Sequence, residues 1–237
     1  MTSIERQIAS LDWPKIIEQL LTNGYSQVES VLSEQQCDQL KDLYQDDSRY
    51  RKTVNMQRFR FGKGEYRYFN YPLPNYVQQL RETIYRYLVP VANAWMKQLK
   101  IDCEYPMQHP EFIKLCQSEA QHLATPLILK YQRGGFNTLH QDLYGSVYFP
   151  IQLVINLSQE GVDYKGGELV LTEQIPRAQS CAKVLRPNKG DMIIFSTNFR
   201  PQLGTRGFYR VTMKHGVSEV TQGTRYALGV IFHDAKT

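Results

Sequence analysis

The chain has 237 residues, of which 42% are hydrophobic, and it carries a formal net charge of +5. This composition is typical of a globular protein with one hydrophobic core. The mild positive charge permits a polyanionic partner without requiring one. The four cysteines form no Cys-x-x-Cys pair, which excludes a zinc ribbon and indicates reduced thiols. We find no signal-peptide pattern and no apolar span long enough to cross a membrane, so we expect a cytoplasmic protein.

The N-terminal third of the chain is predicted to be mainly helical. Residues 13–22 place apolar side chains at helical spacing, and Gly24 follows as a stop signal. The segment Ser33–Gln36 has a capping-box pattern that opens a second helix. The longest predicted helix covers residues 76–99, and we expect Pro90 to bend or interrupt it.

From about residue 125 the pattern changes to short apolar runs separated by turn signals. These runs cover residues 127–132, 147–157, 168–173, 182–186, 191–197, 207–213 and 225–232. Short strands at this spacing predict a sandwich or barrel, not alternating β-α units. We therefore predict one mainly β domain (1–237), in which a helical region (1–124) supports a strand-rich core (125–237).

The triplet His140-Gln141-Asp142 is the first candidate for a metal site. In an extended segment, residues i and i+2 point to the same side, so this imidazole and this carboxylate can bind one ion. The best third ligand is His215, which ends a strand run 73 positions after Asp142. Two histidines and one carboxylate form the facial triad of non-haem iron(II) oxygenases, which leaves coordination positions open for other ligands.

The other three histidines are weaker candidates for a metal ligand. His109 and His122 precede the strand-rich region and are expected in polar surface segments. His233 follows the last strand run and is the alternative third ligand. Ten residues after His215, Arg225 opens that last run, and its planar guanidinium suits bidentate pairing with a carboxylate.

Residues 127–232 resemble the double-stranded β-helix core of the iron(II)/2-oxoglutarate oxygenases, in the order His-x-Asp, distal His, then Arg. A closer resemblance covers almost the whole chain and is to a family of bacterial 2-oxoglutarate oxygenases described as acting on damaged nucleic acid. The stretches that carry it are residues 64–74, 139–145, 213–218 and 231–235. This resemblance implies a double-stranded β-helix, or jelly roll, with supporting helices.

The resemblance also implies roles for individual residues. His140, Asp142 and His215 would bind iron(II), and Arg225 would hold the distal carboxylate of 2-oxoglutarate. Tyr131 matches a tyrosine that points into the pocket in the related prolyl-hydroxylase type. A second residue, Asn156, matches the position of a tyrosine that contacts the co-substrate; here it either hydrogen-bonds the carboxylate or satisfies a strand end.

The implied activity is that of an oxidoreductase, an iron(II)- and 2-oxoglutarate-dependent dioxygenase. Such an enzyme uses dioxygen to convert 2-oxoglutarate to succinate and carbon dioxide while it hydroxylates or demethylates a substrate. The cofactor supplies this chemistry and the protein supplies position and electrostatics.

Two basic stretches are candidate contacts to a nucleic acid. Residues 49–67 hold seven lysines and arginines against one acidic residue, with aromatic residues between them that suit base stacking. The alternative for this stretch is a β-hairpin turning at 62–64 with solvated charges. The stretch 200–214 has four basic residues and leads directly to His215. The predicted contacts are Arg58, Arg60, Lys63, Arg67, Arg200, Arg206 and Arg210.

Three functions remain open at the level of sequence. The first is oxidation of an alkylated base, which requires phosphate contacts and a pocket for the base. The second is hydroxylation of a protein residue, of the prolyl type, or of a small molecule. The third is a barrel that binds a ligand without catalysis, against which the complete set of predicted iron ligands argues. The sequence sets no oligomeric state.

Overall fold

The structure is a computed structural model that describes residues 2–237. The helices in this part of the chain are α1 (Ser3–Ala9), α2 (Trp13–Asn23), α3 (Glu34–Asp42), α4 (Asn75–Gln98) and α5 (His109–Ser118). The strands are β1 (Tyr25–Val28), β2 (Tyr50–Asn55), β3 (Gly62–Lys63), β4 (Glu65–Phe69), β5 (Leu127–Gln132), β6 (Phe136–His140), β7 (Ile151–Asn156), β8 (Tyr164–Gly166), β9 (Leu169–Gln174), β10 (Cys181–Leu185), β11 (Met192–Ser196), β12 (Phe199–Gly204), β13 (Gly207–Val217) and β14 (Val220–Val230).

The strands form two antiparallel sheets. The first has the order β1-β11-β7-β14-β5-β4-β2, and β8 also pairs with β14. The second has the order β10-β9-β13-β6-β3, and β12 also pairs with β13. Many neighbours in each sheet are distant in sequence, as in β1-β11 and β14-β5, so the sheets are built by long-range crossovers. The predicted mainly β fold with flanking helices is confirmed.

Strand β7 shows how one element serves both the core and the cavity between the sheets. All six of its residues are buried. Ile151 and Ile155 belong to the large cluster that includes Trp95 of α4. Val154 packs in a separate cluster with Leu169 of the second sheet. Because successive side chains of a strand point to opposite faces, the first sheet packs one face on the helices and turns the other face towards the second sheet.

The predicted helices form, but α4 is not interrupted. Helix α2 ends at Gly24, whose φ of 76° is the left-handed conformation that glycine adopts readily. The predicted capping box at Ser33 is present at the start of α3. We predicted a bend or an interruption at Pro90, and helix α4 continues through it without interruption. Pro90 lies on the exposed side while Val89 and Val91 are buried, so tertiary packing holds the helix together across the proline.

The region before residue 125, which we predicted to be mainly helical, also contains strands. Strands β1 to β4 come from this region, and they extend both sheets. Strand β1 pairs with β11 and β4 pairs with β5, so the N-terminal region supplies hydrogen-bond partners to strands of the core. Without these partners, the backbone groups at the edges of β11 and β5 would be unpaired. The sequence pattern did not reveal this pairing because it depends on partners more than 50 residues away.

A buried ion pair ties the end of the chain to α4. Arg81 and Asp234 are both fully buried, with 2.9 Å between Arg81 Nη2 and Asp234 Oδ1. The remaining nitrogens of Arg81 donate to the carbonyl of Ile231 and to the hydroxyl of Tyr71, each at 2.9 Å. None of the described helices is long and apolar enough to span a membrane.

Candidate metal centre

The three predicted metal ligands converge at one end of two paired strands. His140 ends β6, Asp142 follows two residues later, and His215 lies in β13. Strands β6 and β13 are antiparallel neighbours in which His215 is the register partner of His140. One ligand atom from each of the three side chains lies within 4.8 Å of the others. The structure therefore brings together the three metal ligands that were predicted from the sequence.

The distances between these atoms fit a single ion. Asp142 Oδ2 lies 3.2 Å from His215 Nε2, and Asp142 Oδ1 lies 3.6 Å from His140 Nε2. Ligand atoms about 2.1 Å from an ion and at right angles to each other are about 3 Å apart. Two imidazole nitrogens and one carboxylate oxygen are the donor set of a facial-triad iron(II) site.

The electrostatic environment favours the protonation states that metal binding needs. Burial raises the pKa of Asp142, but His140 and His215 outweigh it and hold the pKa of this carboxyl well below its usual range. Burial and the neighbouring His215 lower the pKa of His140. A carboxylate and a neutral imidazole are both ready to bind a cation.

Contacts behind the ligands orient them. The ring of His140 approaches the carbonyl of Thr138 through Nδ1, at 2.7 Å. A carbonyl at this position fixes the tautomer and leaves Nε2 available for a metal. The hydroxyl of Tyr144 donates to Asp142 Oδ1 at 2.6 Å, and Gln152 Nε2 donates to Asp142 Oδ2 at 2.9 Å. Neither Tyr144 nor Gln152 was predicted from the sequence as a donor to Asp142. A polar residue inside the apolar strand β7 was the signal for Gln152.

A cavity of about 210 Å³ extends from the metal site between the two sheets. Arg225 of β14 and Tyr131 of β5 are register partners and both line it. Much of the remaining lining is apolar or aromatic; it includes Phe61, Tyr66, Tyr68, Leu129, Val154, Leu169 and Phe195. A cavity of this kind, with few polar groups at defined places, is typical of small-molecule sites.

Arg225 is the candidate anion receptor of this cavity. Its residue is only 1% exposed, and its Nε and Nη2 atoms have no hydrogen-bond partner among the described residues. The guanidinium carbon lies 5.8 Å from the ring centre of Tyr131. Burial raises the pKa of Tyr131, so its hydroxyl stays a donor. A buried guanidinium with unused donors is unfavourable on its own, and a carboxylate would satisfy it in a bidentate pair.

Asn156 lies outside the residues that line the cavity. Its Nδ2 donates to the carbonyls of Ser158 and Pro187, at 2.7 and 2.9 Å, and to the hydroxyl of Tyr164 at 3.1 Å. Of the two roles considered for Asn156, these contacts support the structural one, in which it holds the loop after β7. A direct contact to the co-substrate is not supported.

The remaining histidines are placed differently from one another. His109 is buried, which corrects our expectation of a surface position, and its Nε2 lies 2.9 Å from the carbonyl of Phe232. His109 is buried because its ring packs among aromatic rings. His122 is exposed as predicted. His233 accepts a hydrogen bond from the amide of Phe149 through Nδ1 and is not part of the triad.

Two of the predicted nucleic-acid contacts are engaged within the protein. Arg200 is buried and pairs with Glu173 at 3.1 Å. Arg67 forms an ion pair with Asp47 and stacks on the ring of Tyr44. These two arginines are therefore not available surface charges. The other five predicted contacts are exposed: Arg58, Arg60, Lys63, Arg206 and Arg210.

Two antiparallel sheets around a cavity, with a His-x-Asp…His set at its mouth and a buried arginine inside, define a protein of the iron(II)/2-oxoglutarate oxygenase class. Residues 64–235 match the family Oxygenase-NA, described as an oxygenase catalysing oxidative methylation of damaged DNA, and the chain belongs to this family. It is 40% identical over 167 residues to the uncharacterized proteins MT2286 and Rv2227 of two Mycobacterium tuberculosis strains, which spans 70% of this chain and 72% of each relative.

Solved structures show the same fold. A Pseudomonas putida prolyl-4-hydroxylase has a TM-score of 0.55 at 15% identity, covering 94% of this chain and 98% of that chain. A 2OG-Fe(II) oxygenase family oxidoreductase from Burkholderia pseudomallei has a TM-score of 0.54 at 14% identity, covering 95% and 94%. A Trichoplax adhaerens prolyl hydroxylase has a TM-score of 0.55 at 15% identity, covering 99% and 94%. The predicted double-stranded β-helix is confirmed.

The predicted enzyme class is confirmed as well. The family match, the fold and the triad agree on an iron(II)- and 2-oxoglutarate-dependent dioxygenase, with dioxygen as the oxidant.

Proposed function

We propose that this dioxygenase oxidises an alkylated base in single-stranded nucleic acid. Dioxygen would be the oxidant: with iron(II) bound, one oxygen atom would go to the substrate and the other to 2-oxoglutarate, which would leave as succinate and carbon dioxide. The chain's own contribution is to hold the metal through His140, Asp142 and His215 and to receive the distal carboxylate at Arg225. The observation that carries the choice of substrate is a basic and aromatic loop at the mouth of the cavity.

This mouth loop consists of residues 56–64, between β2 and β4. The ring of Phe61 lines the cavity and is 46% exposed. It stacks on the ring of Phe59, with 5.5 Å between the centroids. The carbonyl of Phe61 accepts hydrogen bonds from the amide and the hydroxyl of Thr138, both at 2.8 Å. The loop is therefore fixed to β6, two residues before the ligand His140.

The charges of the mouth loop are free. Arg58, Arg60 and Lys63 are exposed, and none of them forms an ion pair with another described residue. Exposed aromatic rings flanked by basic side chains are the features of proteins that bind single strands, where bases stack on the rings and phosphates meet the charges. Lysine and arginine contacts to phosphates also make binding depend on salt.

The interior of the cavity supports a neutral reacting group. Apart from the triad, Arg225 is the one charged residue that lines it in the described chain. With Arg225 assigned to 2-oxoglutarate, the remaining wall offers rings and hydroxyl groups, as in Tyr66, Tyr68 and Tyr144. A base taken out of its strand is planar and requires such a wall for stacking and hydrogen bonding.

A first experiment tests the metal site and the co-substrate. Purified protein is mixed anaerobically with iron(II) and 2-oxoglutarate, and the weak visible charge-transfer band is recorded. The band is expected with the native chain and is expected to disappear in the His140→Ala and His215→Ala variants. A band that survives in both variants would refute the assigned ligands.

A second experiment tests the substrate. Succinate release is measured with methylated single-stranded DNA and, in parallel, with a prolyl peptide. The double variant Arg58→Ala/Arg60→Ala is expected to weaken DNA binding and to reduce the slope of log K against log salt by about 1.4, the value for two phosphates on a single strand. The matched control Arg86→Ala/Lys97→Ala removes two exposed charges from α4. If the prolyl peptide stimulates succinate release and the methylated DNA does not, the prolyl-hydroxylase alternative is favoured.

A cytoplasmic location is part of the proposal. All four cysteines are free, and Cys103 and Cys181 are exposed. Exposed free thiols are typical of a reducing compartment, which also keeps iron in its reduced state. A fluorescent fusion that localised elsewhere would contradict this assignment.

A further inference from the structure

The carboxylate of Asp142 is held at both oxygens by side chains from the cavity wall. Tyr144 donates to Oδ1, and Gln152 donates to Oδ2 through Nε2 at 2.9 Å. The same Nε2 of Gln152 lies 3.4 Å from Nε2 of His215. One buried amide thus reaches two of the three candidate ligands.

His215 lacks the carbonyl contact that orients His140. The ring of His140 is oriented by the carbonyl of Thr138. The corresponding Nδ1 of His215 is buried without a hydrogen-bond partner among the described residues. The ring of Phe195 packs on His215, with 4.9 Å between centroids, and Phe195 is the register partner of Gln152. Gln152 and Phe195 therefore contact His215 from adjacent positions on β7 and β11.

The amide of Gln152 is incompletely satisfied by the protein itself. The residue is 2% exposed, and its Oε1 has no hydrogen-bond partner in the described chain. A buried acceptor without a partner lowers stability. The neighbouring Val154 on the same face is apolar. The unpaired Oε1 at position 152 therefore costs stability, while Nε2 of the same amide serves Asp142.

We propose that Gln152 is a positioning residue that orients Asp142 for metal binding and so sets the metal affinity of the site. Its Nε2 holds Oδ2 of Asp142 at the distance from His215 that a shared ion requires. This inference rests on the metal site proposed above. Outer contacts of this kind typically change metal affinity by about 10- to 100-fold when they are removed.

The test measures metal binding without turnover. Mn(II) is titrated into the metal-free protein, and the free ion is followed by its EPR signal. The Gln152→Leu variant is expected to raise the Kd for Mn(II) by about 10- to 100-fold. Its free energy of unfolding without metal is expected to be lower, because Oδ2 of the buried Asp142 loses its donor. Gln152→Met, which keeps the unbranched shape, is the second variant if the first does not fold.

The matched control is Gln121, another fully buried glutamine. Its Nε2 donates to the carbonyls of Val147 and Asp234, at 2.8 and 2.6 Å, and not to a metal ligand. Gln121→Leu is expected to lower stability and to leave the Kd for Mn(II) unchanged. Native affinity in both Gln152 variants, or an equal loss in Gln121→Leu, overturns the inference. Absence of Mn(II) binding in the native chain instead refutes the proposed metal site, so the two failures are distinguishable.

Discussion

The imidazoles of His140 and His215 face each other across two neighbouring strands, with ring centroids 4.1 Å apart. The two residues are register partners in the antiparallel pair β6-β13. Strand pairing therefore sets the separation of two metal ligands, and Asp142 reaches them from the segment that follows β6. Any change that shifts β13 against β6 is expected to affect metal binding before it affects the rest of the fold.

Gly216 offers a way to make that change. A Cβ atom added there would lie 2.7 Å from the backbone oxygen of Asn137, on β6. Because a backbone atom cannot move aside cheaply, Gly216→Ala is expected to separate the strands beside His215. We predict about a 10-fold weaker Kd for Mn(II), the lower end of what disturbing ligand orientation does, and a loss of about 1–3 kcal/mol in unfolding free energy. Calorimetric titration and urea unfolding measure the two effects.

The control for that variant is Gly204→Ala, at the end of β12. Its added Cβ would meet the ring of Tyr209 at 3.0 Å, a side chain that can move. This variant is expected to bind Mn(II) like the native chain. Equal affinities in the Gly204 and Gly216 variants would show that the spacing of β6 and β13 does not control the site.

Arg225 is expected to oppose stability and to support binding of 2-oxoglutarate. Two of its nitrogens are buried without partners, so Arg225→Leu is expected to leave the melting temperature of the ligand-free protein unchanged or higher. Loss of the buried charge pair costs about 3 kcal/mol of binding, which weakens the Kd for 2-oxoglutarate by roughly 100-fold. Thermal unfolding and titration with 2-oxoglutarate in the presence of Mn(II) test both parts.

The exposed Arg186 provides the comparison for Arg225. It pairs with Glu168 at the surface, at 3.3 Å. Arg186→Leu is expected to change neither the melting temperature nor the Kd for 2-oxoglutarate by a measurable amount, because exposed ion pairs contribute little to stability. A lower melting temperature in Arg225→Leu without 2-oxoglutarate would mean that the guanidinium already has a stabilising partner.

The sequence was most informative where the signal is local. The His140-Gln141-Asp142 triplet and the short apolar runs between turn signals can be read directly from neighbouring residues. Helix α2 and its Gly24 stop are local in the same sense. The third ligand, His215, was identified by order along the chain and by family resemblance, and the pairing of β6 with β13 then explains why it lies beside His140.

What the sequence did not reveal depends on how segments of the chain meet in the fold. Arg200 pairs with Glu173, which lies 27 residues earlier in the chain. A count of charges along the sequence could not distinguish this paired arginine from the exposed Arg58. The contact between Gln152 and Asp142 requires the turn from β6 to β7 to be known. The burial of His109 likewise depends on Phe232, 123 residues later. Propensity and periodicity contain no information on such pairs.

The buried pair of Arg81 and Asp234 gives a prediction about stability alone. Arg81→Leu leaves the Asp234 carboxylate buried without its cation, which is expected to destabilise the fold by about 3–5 kcal/mol. The double variant Arg81→Leu/Asp234→Leu removes both charges and is expected to recover part of the loss. Urea unfolding of the single and double variants measures the coupling. If the single and double variants lose equal unfolding free energy, the stabilisation comes from the hydrogen bonds of Arg81 to backbone carbonyls and not from the charge pair.

His109 gives the protein a stability that depends on pH. Burial lowers its pKa from 6.5 to about 3 in the folded state, and the nearby Arg81 contributes in the same direction. The unfolded chain therefore binds a proton below pH 6.5 that the folded chain does not, so stability falls as the pH drops from about 6.5 towards 3. At pH 5 this loss amounts to about 2 kcal/mol relative to pH 7.5. Because His109→Gln does not titrate and keeps a donor for the Phe232 carbonyl, the difference in urea-unfolding free energy between these pH values is expected to shrink by that amount. The exposed His122→Gln variant is expected to retain the native difference, and a His109→Gln variant that also retained it would show that another buried group causes the dependence.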